Sequence, residues 1–317
     1  MAGNMKIAIL GNTQLNYSWF VLTHRQGFKQ NGHKVIEINY KTTPLDQIYN
    51  KLVAEKPRYV FTHLTFHQHI HPAPVIMDVY KKVTRACGAK FVHTLADARH
   101  EPRWSDDISG AFHMAFINQT KNLEKFQSYW KIPVIFSPYC ALTQGKLSNP
   151  VKELTFGNQL IFTGSKGAHP PRVKFLNRVT QIMPLVYLQT QSANDLRHRT
   201  AELSVSVKAI LSACIGYDIT HYNEVRPWQY LGAGACLIHK KFKGEDDLIP
   251  DDLYLEYKSP EDVKGQFEIA CKEDTMPMRR KAFEFMQKHH SSKIRMHNVI
   301  ECLEDRQHTT KSFLWEI

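Results

Sequence analysis

Short runs of β-branched and aliphatic residues alternate with amphipathic segments along almost the whole chain. This alternation is typical of βαβ units, because a parallel sheet needs a helical crossover between neighbouring strands. In the first half it predicts strands at residues 6–10, 34–40, 58–62, 90–94, 112–117 and 133–136. It also predicts helices at residues 18–31, 78–87 and 121–130, the first two ending at Gly32 and Gly88.

The alternation is interrupted once, by a polar segment at residues 143–155, and then restarts. Strands are predicted at residues 158–163, 185–189, 206–213, 235–239 and 253–257, and helices at residues 171–182, 193–203, 226–231, 260–271 and 277–303. We therefore expect two doubly wound, Rossmann-like α/β domains, at residues 1–145 and 155–290, and a C-terminal helix and tail at residues 291–317. Ligands of such sheets bind at the carboxyl ends of the strands, so we expect the site in the cleft between the domains.

Composition and cysteine spacing exclude several classes of protein. A chain of 317 residues that is 43% hydrophobic can bury two cores, which excludes a disordered basic tail. The beginning of the chain lacks the features of a signal peptide, and no apolar run reaches the roughly 18 residues of a membrane-spanning helix. The six cysteines are too far apart in sequence for a zinc ribbon or a redox dithiol. We expect a cytoplasmic protein with reduced thiols and no membrane span.

The segment at residues 223–235, NEVRPWQYLGAGA, is the most informative one. It places Arg226 at the start of a short predicted helix that ends before two glycines. The free amides at a helix N-terminus and an adjacent arginine suit an anionic diphosphate, and polar side chains one turn later can reach a ribose or sugar hydroxyl. The alternative interpretation is a surface helix with an ordinary glycine stop.

Loops that follow two predicted strands carry further candidates for phosphate contact. Backbone amides in such loops can bind a phosphate, and a nearby lysine adds a point charge. The first loop has a single glycine and matches neither GxGxxG nor GxxxxGK[ST], which argues against a dinucleotide site or a P-loop. Any βα turn has a similar composition, so a purely structural role is the alternative. The candidates are Gly11, Asn12, Gly164, Ser165, Lys166 and Arg172.

These motifs, in this order, resemble the C-terminal domain of group 1 glycosyltransferases of the GT-B fold, and the spore-maturation-type branch above all. Arg226, Trp228 and Gly234 match the family pattern of arginine, any residue, aromatic, glutamate, four residues and glycine. Residues 162–164 resemble the family's strand end, and residues 291–303 its closing helix. The resemblance implies a GT-B fold and transfer of a sugar from a nucleotide sugar, expected to be UDP-linked. It implies no cofactor besides that co-substrate.

The chain departs from the family at two acidic positions. The glutamate that holds the ribose of the donor is Gln229 here, and the acidic position eight residues earlier is His221. The resemblance implies that both side chains contact the donor, together with Arg226 and Trp228. A carboxamide both donates and accepts hydrogen bonds but has no charge, so we expect it to bind a diol more weakly than a carboxylate. The departures leave the sugar, the nucleotide and the stereochemical outcome open.

The acidic residues predict a metal-independent reaction with a side-chain base. The sequence has no Asp-x-Asp, the motif that holds a divalent ion in metal-dependent glycosyltransferases, so positive residues and helix dipoles would stabilise the leaving diphosphate. A transfer with inversion needs a base near the acceptor hydroxyl. Asp97, just after a predicted strand, is our candidate, with a helix cap or a salt bridge as its alternative role. His67 is the rival base, and a metal site formed by His67, His69 and His71 is the weaker interpretation.

The positive charge of the chain is concentrated in its first half. Residues 1–150 contain 18 Lys and Arg against 9 Asp and Glu, whereas residues 151–317 contain 23 against 21. In the GT-B fold the N-terminal domain binds the acceptor, so the resemblance implies that this half is the acceptor domain, and its charge predicts a polyanionic acceptor. The expected acceptor contacts are Lys81, Lys82, Arg99, Arg103 and Trp104.

Two acceptor hypotheses follow from this charge, and the departures at Gln229 and His221 favour a third hypothesis, a protein without activity. The favoured acceptor is a hydroxymethylated pyrimidine in DNA, as for phage enzymes of this type, with the target base extruded from the helix; the enzyme would then work in the host cytoplasm. An anionic glycan is the second. The third is an inactive nucleic-acid-binding protein of the same fold. We expect a monomer or a dimer.

Overall fold

The computed structural model describes residues 4–12, 19–63, 70–95, 108–147, 158–164, 169–188, 200, 202–214, 217–221 and 224–304. They belong to two compact units. Unit 1 contains the described residues up to Pro138 and those from Lys293 onward, and unit 2 extends from Tyr139 to Ser292. The division therefore precedes the polar segment at residues 143–155, and the last helix belongs to unit 1 although it follows unit 2 in sequence.

Unit 1 is built on a six-stranded parallel sheet of order β2-β1-β3-β4-β5-β6. Its strands are β1 Lys6–Gly11, β2 Lys34–Asn39, β3 Tyr59–Thr62, β4 Lys90–Leu95, β5 Met114–Ile117 and β6 Val134–Phe136. Its helices are α1 Trp19–Gln30, α2 Leu45–Glu55, α3 Ala73–Cys87, α4 Leu123–Trp130 and, at the end of the chain, α9 Ser292–Glu304. All six predicted strands are confirmed. The helix α2, which buries Ile48 and Leu52, was not predicted.

Helices cover both faces of this sheet. The α2, α3 and α4 side chains pack on one face, where Ala8, Val60 and Phe91 lie. The α1 and α9 side chains pack on the other face, around Ile7 and Phe61. At the end of α9 Glu304 accepts a hydrogen bond from the Tyr59 hydroxyl at 2.6 Å and pairs with Arg58. The last helix is therefore an integral part of the unit 1 core.

Unit 2 is built on a five-stranded parallel sheet of order β11-β10-β9-β7-β8. Its strands are β7 Leu160–Thr163, β8 Leu185–Leu188, β9 Ala209–Ser212, β10 Leu237–His239 and β11 Leu255–Glu256. Its described helices with defined bounds are α5 Pro170–Ile182, α6 Val225–Gly232, α7 Asp262–Lys272 and α8 Met276–His289, and residues 202–206 are also helical. The helices α5 and α7 pack on one face of the sheet through Leu176, Val179 and Phe267.

Two predictions for unit 2 are wrong in detail. Ser206, predicted as the start of a strand, is helical, and β9 begins only at Ala209. The long helix predicted at residues 277–303 is two helices, α8 and α9. It breaks because the backbone around Ser291 instead pairs with Ala141, and because the His290 Nε2 atom lies 2.8 Å from the Leu248 carbonyl oxygen.

The structure also gives the state of the cysteines and the apolarity of the described helices. All six cysteines lie in described segments as free thiols, and four of them are buried. Across the described segments, no helix is both long enough and apolar enough to traverse a bilayer.

Candidate functional site

The carboxyl edge of the unit 2 sheet contains the point at which the strand order reverses. From β7 the chain crosses to β8 on one side, and from β9 it crosses to β10 on the other side, while β7 and β9 are direct neighbours. Open α/β sheets bind their ligands outside the strand ends at such a switch point. Here those strand ends are Thr163 and Gly164 after β7, and Ser212 and Ala213 after β9.

Two arginines bind the backbone at these two strand ends. The Arg226 Nε atom, in the first turn of α6, donates to the Thr163 carbonyl at 3.0 Å. The Arg172 Nε atom, in the first turn of α5, donates to the Ala213 carbonyl at 2.8 Å. Because a guanidinium is a rigid planar fork of donors, fixing its Nε atom on a carbonyl also fixes the plane of the remaining donors. Both side chains are largely buried, with exposed fractions of 3% for Arg172 and 13% for Arg226.

A single carboxylate joins the two arginines. One oxygen of Glu224 pairs with a terminal nitrogen of Arg172, and the other oxygen pairs with a terminal nitrogen of Arg226. We call Arg172, Glu224 and Arg226 the switch-point triad. Its formal charge is one positive. Burial and the neighbouring charge of Arg172 lower the pKa of Arg226, as expected for two cations held close together.

Gly164 is required at the end of β7 for two reasons. Its φ of +122° lies in a region that residues with side chains rarely adopt, and a Cβ atom there would overlap the Arg226 guanidinium. The guanidinium carbon also lies 5.3 Å from the centre of the Phe162 ring, a cation–π contact. The strand end therefore fixes the position of Arg226 by sterics as well as by hydrogen bonding.

The helix α6 carries the remaining residues of the predicted donor motif. Glu224 occupies its N-cap position but makes no capping hydrogen bond with its side chain. Gln229 is 3% exposed, and its Nε2 atom is buried without a hydrogen-bond partner among the described residues. Trp228 is also buried and packs edge-on against His290, with ring centres 5.0 Å apart. The first turn of α6, in which Pro227 has no N–H, therefore offers the amides of Val225 and Arg226 without a cap from the Glu224 side chain.

His221 is held by a loop of unit 2. Its backbone is left-handed, with φ +58°, and its N–H donates to the Lys243 carbonyl at 2.8 Å. Its Nε2 atom lies 2.8 Å from a carboxylate oxygen of Asp247. Gly244 lies against the imidazole so closely that a Cβ atom there would come within 2.6 Å of the ring. The sequence did not indicate the partner Asp247, which is 26 residues away.

A pocket of about 460 Å³ lies beside Arg172 at the ends of β9, β10 and β11. Phe175, Tyr217 and Tyr257 provide its aromatic lining, with Phe175 stacked on Tyr257 at 5.1 Å between ring centres. Lys240 lies 5.1 Å from the centre of the Tyr217 ring, and its charge faces the same pocket. The volume is that of a small-molecule site, and the basic lining residues Arg172, Lys240 and Lys258 outnumber the acidic Asp218.

Unit 1 has its own switch point, between β1 and β3. Gly11 ends β1 beneath α1, where a Cβ atom would lie 2.6 Å from the Val21 side chain. The next residue is Asn12, whose Oδ1 atom is buried without a hydrogen-bond partner in the described part of the chain. His63 follows β3, and burial with the nearby His93 holds its pKa well below the ordinary value. His63 is therefore a neutral imidazole at neutral pH.

Solved structures resemble this chain over nearly its full length, although no protein-family model and no curated protein sequence matches it. The Anabaena protein HepE in complex with UDP is 11% identical with a TM-score of 0.54, covering 94% of this chain and 99% of HepE. HepE in complex with UDP-glucose gives 12% and 0.52, covering 95% and 99%. Sucrose-phosphate synthase from Thermosynechococcus elongatus is 10% identical with a TM-score of 0.57, covering 95% and 98%.

The fold is GT-B. The expected fold class is thereby confirmed. At identities of 10–12% the similarity shows the fold alone, so the roles of the site residues depend on their own geometry.

The predicted donor residues are divided between the two units of this GT-B fold. Arg172, Arg226 and Gly164 meet at the switch point of unit 2. Gln229 and Trp228 lie in the same helix as Arg226, but Trp228 is a packing residue. His221 contacts the loop that carries Asp247. Gly11 and Asn12 lie at the switch point of unit 1.

The lysines predicted for the acceptor lie on α3 of unit 1. Lys82 is more than half exposed and pairs with Asp78 at 2.7 Å, one helical turn away. Lys81 lies beside Gly110, where a Cβ atom would be 2.9 Å from its Cε atom. Both remain candidates for contact with a polyanion. The other predicted residues fall outside the described segments: Asp97, His67, Ser165, Lys166, Arg99, Arg103 and Trp104.

Sequence reasoning missed Glu224 and the aromatic pocket. Glu224 lies in the same motif, two residues before Arg226, where its position indicates no more than a helix start. Its contact with Arg172 requires β7 and β9 to end side by side, and no short segment of the sequence predicts that arrangement. In the described segments no group of three or more His, Cys, Asp or Glu side chains is able to hold a metal ion.

Proposed function

We propose that this chain is a glycosyltransferase that moves a sugar from a nucleotide-sugar donor, UDP-linked, to a hydroxyl acceptor. The observation that carries the proposal is the pair of guanidiniums fixed to the ends of β7 and β9, at the switch point of a GT-B fold. HepE, which has the same fold, has been crystallised with UDP and with UDP-glucose.

The two arginines of the triad support this reaction by electrostatics. When the bond between the anomeric carbon and the diphosphate breaks, negative charge grows on the departing diphosphate oxygen. Arg172, Arg226 and the uncapped amides of α6 are in place before the ligand arrives, so they stabilise that charge without reorganisation. Losing one such donor costs an enzyme roughly 100- to 1,000-fold in kcat. With these cations in place the proposed reaction needs no divalent ion, and activity should survive an excess of EDTA.

The aromatic pocket beside Arg172 supports a nucleotide as the anionic ligand. Aromatic rings provide stacking surface for a nucleobase, and the pocket's volume of about 460 Å³ is within the usual range of ligand sites. Gln229, with its unpartnered amide, is proposed to bind a hydroxyl group of the same ligand.

We propose that the acceptor is a hydroxymethylated pyrimidine in DNA. The transfer would take place in the cytoplasm, or in the host cytoplasm if a phage encodes the chain. The basic excess of residues 1–150 and the exposed lysines of α3 support a polyanionic acceptor. The base that activates the hydroxyl is proposed to be Asp97, with His67 as its rival.

The test is a transfer assay with two matched DNA substrates. The protein is incubated with UDP-glucose, UDP-galactose or UDP-N-acetylglucosamine and with duplex DNA of one sequence, either hydroxymethylated or unmodified. Mass spectrometry of the digested nucleosides should then show one added sugar on the hydroxymethylated base alone. Transfer to an anionic glycan but not to DNA would exclude the DNA acceptor. Tight DNA binding without hydrolysis or transfer of any donor would instead identify an inactive binding protein.

A further inference from the structure

The switch-point triad contains a resident anion among the groups proposed to bind the donor. Glu224 is 14% exposed, and its two carboxylate oxygens each pair with a terminal nitrogen of a different arginine. Its position would allow it to cap α6, yet its side chain makes no capping bond and is directed to the arginines instead. A ligand diphosphate and the Glu224 carboxylate therefore compete for donors of the same two guanidiniums.

The net charge of the triad determines how strongly this competition depends on the negative charge of the ligand. Two guanidiniums and one carboxylate leave a single positive charge at the site. The lowered pKa of Arg226 agrees with close approach of the two cations, which Glu224 screens from each other. A carboxylate in this position repels every additional negative charge on a bound ligand, and the repulsion is strong because the groups are largely removed from water.

The substrate and the product of the proposed reaction differ by such a charge. In a nucleotide sugar the terminal phosphate is esterified and carries one negative charge. In the free nucleoside diphosphate the terminal phosphate has a second ionisation, with a pKa of about 6, and is close to doubly charged at neutral pH. The product is therefore repelled more strongly by Glu224 than the substrate is.

We propose that Glu224 is a specificity-determining residue that weakens the binding of the free nucleoside diphosphate relative to the nucleotide sugar and so favours product release. This inference rests on the proposed function and adds a role for a residue beyond the donor contacts. Without Glu224 the two arginines would present two positive charges to the product. The product would then bind more tightly than the substrate and would inhibit turnover.

The experiment compares two ligands on the full chain by isothermal titration calorimetry at pH 7.5. UDP and UDP-glucose are titrated into the wild type and into Glu224→Gln, which keeps the shape of the side chain and removes its charge. We expect UDP to bind the variant about tenfold more tightly, equivalent to about 1.4 kcal/mol, and UDP-glucose to gain only about threefold. Glu268→Gln on α7 is the matched control, because Glu268 forms only an exposed pair with Lys272, and it should change neither affinity.

Each outcome decides between the inference and its alternatives. Equal changes for both ligands, or weaker binding of both, would show that Glu224 only positions the arginines and would overturn the inference. If the wild type binds neither ligand, the proposed function fails and the inference fails with it. Should Glu224→Gln not fold, Glu224→Ser removes the charge while supplying a residue that caps helices well, and the same ratio is measured.

Discussion

Replacing Arg226 by lysine keeps the positive charge of the triad but removes the planar fork of donors. In the wild type the Arg226 Nε atom binds the Thr163 carbonyl at 3.0 Å while a terminal nitrogen pairs with Glu224. A lysine ammonium is a single point charge on a flexible stem, so it cannot hold the strand end, the carboxylate and a ligand phosphate at once. We expect Arg226→Lys to fold and to bind UDP more weakly.

The size of the loss follows from the hydrogen bonds that the lysine cannot make. A hydrogen bond to a charged group contributes roughly 1.5–3 kcal/mol, and the lysine forfeits at least one of them when a ligand is bound. Since about 1.4 kcal/mol is tenfold in affinity, the dissociation constant for UDP should rise roughly ten- to hundredfold. The low exposure of the Arg226 side chain, 13%, means that water compensates only a small part of the loss.

The assay is UDP titration into the wild type, Arg226→Lys and the control Arg178→Lys. Arg178 lies on the surface of α5 and pairs with Glu261, with both side chains more than half exposed, so its replacement should leave UDP affinity unchanged. UDP binding by Arg226→Lys within twofold of the wild type would refute the assignment of this guanidinium to the diphosphate.

Three further predictions concern strain, pH and the base. Gly164→Ala should weaken UDP binding and lower the unfolding free energy by about 1–3 kcal/mol, from strain at positive φ, whereas Gly145→Ala, where a Cβ atom meets nothing within 4 Å, should do neither. Burial lowers the pKa of His93 to about 4, so on acidification the histidine of the unfolded chain takes up a proton before that of the folded chain. The contribution of neutral His93 to the free energy of unfolding should be fully present above about pH 6.5. It should decrease toward pH 4 by up to roughly 1.4 kcal/mol per pH unit. Urea unfolding at a series of pH values checks this, and a pH dependence that persists unchanged in His93→Phe would contradict it. Asp97→Asn should slow sugar transfer by roughly 100-fold or more if Asp97 is the base, and a rate within a few fold of the wild type, with a large loss in His67→Ala, would assign the base to His67.

The sequence predicted the strands of both sheets because parallel strands buried on both faces leave continuous apolar runs. The β1 sequence KIAILG and the β7 sequence LIFT are runs of this kind. The end of the helix α3 at Gly88 could also be predicted, since its φ of +73° is one that glycine readily adopts. These features depend on residues that are consecutive in the sequence, so the sequence alone predicts them.

The features that the sequence did not predict depend on contacts between distant residues. The break before α9 has neither proline nor glycine in it; it follows from contacts of the preceding backbone with Ala141 and of His290 with the Leu248 carbonyl. The triad joins Glu224 to Arg172, 52 residues earlier, and depends on two strands ending side by side. Arg226 itself could be predicted from its position before a helix, but its fixed orientation against Gly164 and Glu224 could not.

Because α9 belongs to unit 1 but follows unit 2 in sequence, the ribosome makes this part of the unit 1 core only after unit 2. The face of the first sheet that carries Ile7 and Phe61 is completed by side chains of α9, including Met296 and Ile300. Between the sheet and this helix lie about 150 residues of unit 2. At about 5–20 residues per second a ribosome needs roughly 8 to 30 s to make them. For that time part of an apolar sheet face lacks its cover, so the nascent chain offers chaperones a target that the finished protein conceals.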